Sequence, residues 1–145
     1  MQLILQTHSQ LPAVIRRWGC ALRVLQAIPE VTAGRALNVE QIIVLYELGL
    51  ANGSIITGWH HRLRQNVQCF IEDNNRVIAD ASRLLGLTGQ PARVSDHTGR
   101  GRFIRLTYST ASGQHFVLID SQTATFFDPD PSLSNNGIVG IRYYS

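Results

Sequence analysis

The residue order predicts an α+β domain in which N-terminal helices pack on a C-terminal antiparallel sheet. Three observations carry this expectation. Through most of the stretch from Ala13 to Leu85 the apolar side chains recur at helical spacing. From Gly89 onward, short β-branched and aromatic runs are separated by Gly, Ser and Asp turn signals. Helices come first and strands follow, instead of alternating, which segregates the two layers. No linker, repeat or low-complexity tract interrupts the 145 residues, so 1–145 reads as a single domain.

Each element has its own local warrant. Residues 2–6 alternate weakly and read as a short strand. Pro12 suits the first position of a helix continued by Ala13, Val14 and Ile15, because its missing N–H is not needed there. Gly19 breaks that helix. After it, Ala21, Val24, Leu25 and Ile28 form a new apolar stripe, which Pro29 is expected to close. Cys20 then sits in the first turn of a buried helix. Asn38 followed by Gln41 forms a capping box, and the helix it opens carries Ile42, Leu45, Tyr46 and Gly49. Gly49 to Gly58 reads as a loop and Val67 to Ile71 as a strand. Asn74 or Asn75 caps a further helix with Val77, Ile78, Ala81, Leu84 and Leu85 on one face, ended by Gly86. Past the turn Gly89-Gln90-Pro91, strands are expected at Ala92–Ser95, Arg102–Tyr108, His115–Ile119, Thr125–Phe127 and Ile138–Tyr144.

Composition narrows the function classes. The chain is 44% hydrophobic and 16% charged, enough apolar material for one core. No segment approaches the ~20 apolar residues that a membrane span needs. The first residues lack a basic region and a long apolar run, so the expected location is cytoplasmic, or exported or injected without a cleavable signal. Net charge is +3, and all 13 basic residues are arginine. They are scattered and rarely interleave with aromatics, so no nucleic-acid partner is expected. The two cysteines, Cys20 and Cys69, form no CxxC pair, which disfavours a disulfide framework or a cysteine zinc site.

The chemistry concentrates in three residues. A turn centred on Ser121 and Gln122 sets His115 opposite Asp128, on one face of a hairpin. A carboxylate there fixes the imidazole tautomer and steadies the imidazolium. A one-residue slip would move Asp128 to the other face. Cys20 at a helix start feels the positive end of the dipole, which is expected to lower its pKa, and free N–H groups stand ready for an oxyanion. Nucleophile, general base and orienter are then Cys20, His115 and Asp128. Cys69 reads as a small core residue and Asp120 as a hairpin turn residue. Trp59-His60-His61 reads as a surface or substrate-contact loop rather than a metal site, with His8 and His97 the remaining candidates for such a site. Gly99-Arg100-Gly101-Arg102 reads as a turn, since it matches no phosphate-binding motif.

Three segments in order, Trp18-Gly19-Cys20-Ala21-Leu22, Gly113-Gln114-His115-Phe116-Val117-Leu118 and Phe127-Asp128-Pro129, resemble the motifs of papain-like cysteine peptidases. The similarity is to the branch that includes bacteriocin-leader-processing peptidases and small phage or prophage proteins of unassigned function. Leu37 to Tyr46 is similar to a helix of the prophage group. The resemblance implies a papain-like fold, a Cys-His-Asp order at Cys20, His115 and Asp128, and hydrolysis of a peptide or amide substrate through a thioester, with no metal and no cofactor. Two alternatives belong to the same expectation: a peptidoglycan amidase delivered by a phage or secretion system, and a catalytically inactive binding module. Family members carry a glutamine shortly before the cysteine to complete the oxyanion hole. The matching position here is Val14, with Gln10 and Gln6 further upstream.

Overall fold

The computed structural model describes residues 1–95 and 99–145. Four helices, α1 (Ala13–Trp18), α2 (Cys20–Ala33), α3 (Val39–Asn52) and α4 (Asn74–Leu84), form the N-terminal part together with a hairpin of β1 (Ile55–His60) and β2 (Gln65–Ile71). The C-terminal part is an antiparallel sheet of β3 (Phe103–Thr110), β4 (Gly113–Asp120), β5 (Thr125–Phe127) and β6 (Ile138–Tyr144), in the order β5-β4-β3-β6. The α+β expectation, with helices first and the antiparallel sheet last, holds.

The centre of the molecule is α2. All nine residues from Leu22 to Glu30 are buried. A single apolar stripe was expected, but the helix is enclosed on every side, and three polar residues go in with it. Arg23, Gln26 and Glu30 lie at a spacing that shares one face. Arg23 donates to the Ile4 carbonyl (3.0 Å) and to Gln26 Oε1 (2.9 Å), and its other nitrogen lies 2.9 Å from Glu30 Oε1. Glu30 Oε2 accepts the Leu37 N–H at 2.8 Å. This network ties the N-terminal segment and the α2–α3 connection onto one helix. Pro29 does not end α2, which runs on to Ala33 and stops at Gly34 in the left-handed region (φ 64°). A mid-helix proline costs about 3 kcal/mol. Burial of neighbours such as Leu25 and Ile28 stabilises by about 1.5–3 kcal/mol each, so packing wins over the local breaker.

Other local expectations divide in the same way. The Asn38–Gln41 capping box forms, and Ile42, Leu45, Tyr46 and Gly49 are the buried residues of α3. The loop expected from Gly49 is instead helix to Asn52, then β1. Gly49 is there because a Cβ would strike the Ile55 side chain. The cap of α4 is Asp73, whose carboxylate accepts the Arg76 N–H at 3.1 Å. Asn74 and Asn75 are engaged elsewhere, accepting from the Tyr144 hydroxyl (2.9 Å) and the Val94 N–H (2.8 Å). Leu84 faces solvent rather than the core. Residues 92–95 make one bridge, Val94 to Tyr144, instead of a strand. Pro12 sits one residue earlier than expected, as the N-cap of α1. Residues 2–6 are not a strand. They fold back along the molecule, with the Gln6 N–H donating to the Pro129 carbonyl at 3.0 Å.

The larger sheet turns Phe103, Leu118, Phe127 and Tyr144 into the core against α2. Register puts Ile104, Leu106, Ile119, Phe126 and Ile141 on the opposite face, where Phe126 and Ile141 are exposed.

Candidate functional site

The β4–β5 hairpin is not in the expected register. Its pairs are Leu118–Phe127, Ile119–Phe126 and Asp120–Thr125, which centres the loop on Gln122 and Thr123. Asp120 is the reason. It is not a turn residue but the last residue of β4, fully buried and held by Arg102 at 2.9 and 3.1 Å. It also accepts the Gln122 N–H at 3.1 Å. Hydrogen bonding from Arg102 holds its carboxyl far below the usual range, at about 2. Ala124 closes the loop in the left-handed region (φ 58°). The offset from the expected register is even, so Asp128 stays on the face of His115. Strand β5 stops at Phe127, and the carboxylate reaches back diagonally. His115 Nε2 and Asp128 Oδ1 are 2.6 Å apart. The expected contact forms, but on a different pairing.

His115 is completely buried. Its Nε2–H donates to Asp128, so Nδ1 carries the lone pair in the neutral ring. Nδ1 is buried and, among the described residues, has no hydrogen-bond partner. Asp128 is fixed in turn, since its Oδ1 also accepts the Asp130 N–H at 3.0 Å. The next carbonyl, that of Pro129, is the one that holds Gln6.

Cys20 opens α2 because Gly19 lets α1 and α2 meet end to end. Gly19 donates to the Ile15 carbonyl (2.8 Å) and accepts from the Arg23 N–H (2.9 Å). A Cβ at Gly19 would lie 2.5 Å from the Ile15 oxygen. The Cys20 sulfur is half-buried and faces three N–H groups: those of Phe116, Ala21 and Cys20 itself. Phe116 directly follows His115, and β4 at residues 115–117 has no β5 partner, so the start of α2 meets an uncovered strand edge. Burial pushes the Cys20 thiol above its ordinary range; the three N–H groups oppose this and the charge of Asp130 adds to it. The expected lowering at a helix start is therefore overturned, because desolvation of the sulfur outweighs the aligned N–H groups.

One residue outside the expected three, Gln6, lies against the turn after Asp128. Gln6 is buried beside Pro129, with its side-chain amide donating to the Arg16 carbonyl at 3.2 Å and Oε1 without a partner among the described residues. Gln10 is exposed. Nothing in the aperiodic stretch 2–10 signals this fold-back. Cys69 is a core residue as expected, and burial pushes its thiol up to about 12. Trp59-His60 lies on β1, not in a loop. His60 is buried, with Nε2 2.7 Å from Glu72 Oε2 and Nδ1 accepting the Leu63 N–H at 3.0 Å. Both ring nitrogens are used, one by the β1–β2 turn and one by the residue that follows β2. His97 lies outside the described residues. Among the described residues, no three His, Cys, Asp or Glu side chains are grouped to hold a metal ion. No described helix is long and apolar enough to cross a membrane. A groove of about 380 Å³ runs along Gln2 to His8, and a small cavity of about 70 Å³ lies between α2 and residues 87–92; neither is lined by Cys20, His115 or Asp128.

No family model, curated protein or solved structure matches the chain.

Proposed function

We propose that this protein is a cysteine-dependent hydrolase of amide or peptide bonds, with Cys20 as nucleophile, His115 as general base and acid, and Asp128 as the residue that orients His115. The observation that carries the reading is the state of the His115 ring. One nitrogen is committed to Asp128 at 2.6 Å, while the other is buried, unpartnered and one residue away from the N–H that faces the Cys20 sulfur.

The chemistry follows from those positions. The raised thiol pKa makes Cys20 a neutral S–H at neutral pH, so the proton leaves as the sulfur attacks. Nδ1 of His115 takes that proton while the sulfur–carbon bond forms. The carbonyl oxygen becomes an oxyanion, for which the N–H groups of Phe116, Ala21 and Cys20 that face the sulfur are the fixed donors at hand. Collapse breaks the carbon–nitrogen bond, and the imidazolium returns its proton to the departing amine. Asp128 stabilises the imidazolium throughout. Water, losing a proton to Nδ1, then attacks the thioester, and the free acid and thiol are restored. Gln6 lies beside the turn that holds Asp128, its backbone N–H donating to the Pro129 carbonyl.

A mechanism-based thiol probe followed by peptide mapping tests the reading without a known substrate. Label on Cys20, lost in His115→Ala, supports it. Equal product release by Cys20→Ala and wild type, from every amide or peptide that wild type cleaves, overturns it. The raised Cys20 pKa favours one second reading, a non-catalytic binding module. That reading expects iodoacetamide to alkylate Cys20 at the same rate in wild type and in His115→Ala at neutral pH.

A further inference from the structure

Two arginines face each other on the sheet beside this site. Register pairs Arg105 of β3 directly with Arg142 of β6. Like charges directly opposite on neighbouring strands are destabilising. Five other arginines are ion-paired: Arg23 with Glu30, Arg62 with Glu72, Arg76 and Arg83 both with Asp80, and Arg102 with Asp120. Among the described residues, neither Arg105 nor Arg142 has an ion-pair partner. Arg105 Nε is buried and makes no hydrogen bond among the described residues. Its guanidinium lies over the ring of Phe116, 4.8 Å from the centroid. Phe116 is the residue whose backbone N–H faces the Cys20 sulfur. Stacking fixes the plane of the guanidinium and leaves its edge N–H groups to donate. A guanidinium stays charged in proteins, so an uncompensated cation is held one residue from the nucleophile.

We infer that Arg105, supported by Arg142, is a carboxylate-binding subsite beside Cys20, so that the substrate carries an anionic group close to the scissile amide. The planar fork of a guanidinium matches a carboxylate in two parallel hydrogen bonds. Such a ligand would also relieve the repulsion between the two arginines. This inference rests on the proposed hydrolase and names its substrate class, an acidic peptide or amide.

Two alkylating agents of nearly equal size separate the possibilities. Iodoacetate carries the carboxylate, and iodoacetamide does not. Each forms a sulfur–carbon bond as iodide leaves and the thiol proton goes to the base. Rates at Cys20 in the full-length protein are followed by mass mapping and divided by the rates for free cysteine. The normalised iodoacetate-to-iodoacetamide ratio is expected to exceed one by about tenfold. It is expected to fall toward one in Arg105→Gln, partly in Arg142→Gln, and in the unmutated protein as salt rises toward 1 M. The salt series needs no variant and so survives any loss of folding. A ratio near one in wild type, with iodoacetamide still labelling Cys20, overturns the subsite and leaves the hydrolase reading in place. A Cys20 that resists both reagents removes the hydrolase reading, and the subsite with it.

Discussion

Replacing Asp120 with asparagine tests what holds the hairpin in its observed register. Asp120 ends β4 completely buried, with Arg102 at 2.9 and 3.1 Å and the Gln122 N–H at 3.1 Å. Asparagine keeps the shape and loses the charge. The carboxyl titrates at about 2 instead of its ordinary 3.8, chiefly because Arg102 bonds its ionised form. That difference corresponds to at most about 2.4 kcal/mol. Arg102 is 29% exposed, and solvent screening trims the expected effect to about 1–2 kcal/mol. A carboxyl with a depressed folded-state pKa stabilises above its unfolded value and loses that stabilisation as pH falls through the folded value. Urea denaturation of wild type and Asp120→Asn should therefore show a gap of about 1–2 kcal/mol at pH 7. The gap should narrow below about pH 4, be roughly half gone near pH 3 and be mostly gone near pH 2. A gap that persists undiminished at pH 2, or is absent at pH 7, refutes the ion-pair account of the register.

Three further outcomes follow from the same geometry. Arg23→Met strands Glu30 without its cation in a fully buried site and is expected to cost about 3–5 kcal/mol by urea denaturation, with Arg23→Met/Glu30→Leu recovering most of the loss. Asp128→Asn leaves His115 without its carboxylate and is expected to lower kcat roughly 100- to 10,000-fold on any substrate found, with KM little changed. Because burial pushes the Cys69 thiol up to about 12 while Cys20 is only half-buried, a disulfide exchange reagent at pH 8 should titrate one thiol in the native protein and two in denaturant.

Elements governed by near neighbours were legible in the residue order. The Asn38–Gln41 box and the break at Gly19 that puts Cys20 at a helix start both depend on groups a few residues apart. The antiparallel sheet and the helices-first order follow from periodicities of that same range. His115 was matched with Asp128 for a partly wrong reason. The assumed turn centre was incorrect, and the contact formed because the register moved by an even number and kept both side chains on one face.

What lay beyond the sequence depended on distant partners. Pro29 stays inside α2 because neighbouring elements bury the residues around it. Arg23 and Glu30 go into the core because each finds the other, along with the backbone of Ile4 and Leu37. The register of β4 and β5 is set by Arg102, eighteen residues before Asp120. The direction of the Cys20 pKa was decided in the same way: the helix start is written locally, but desolvation of the sulfur depends on everything packed around it. Hydrogen bonds between chain neighbours survive any tertiary arrangement and can be read in advance. Burial, and the electrostatics it amplifies, exist only after the whole chain has closed around the group.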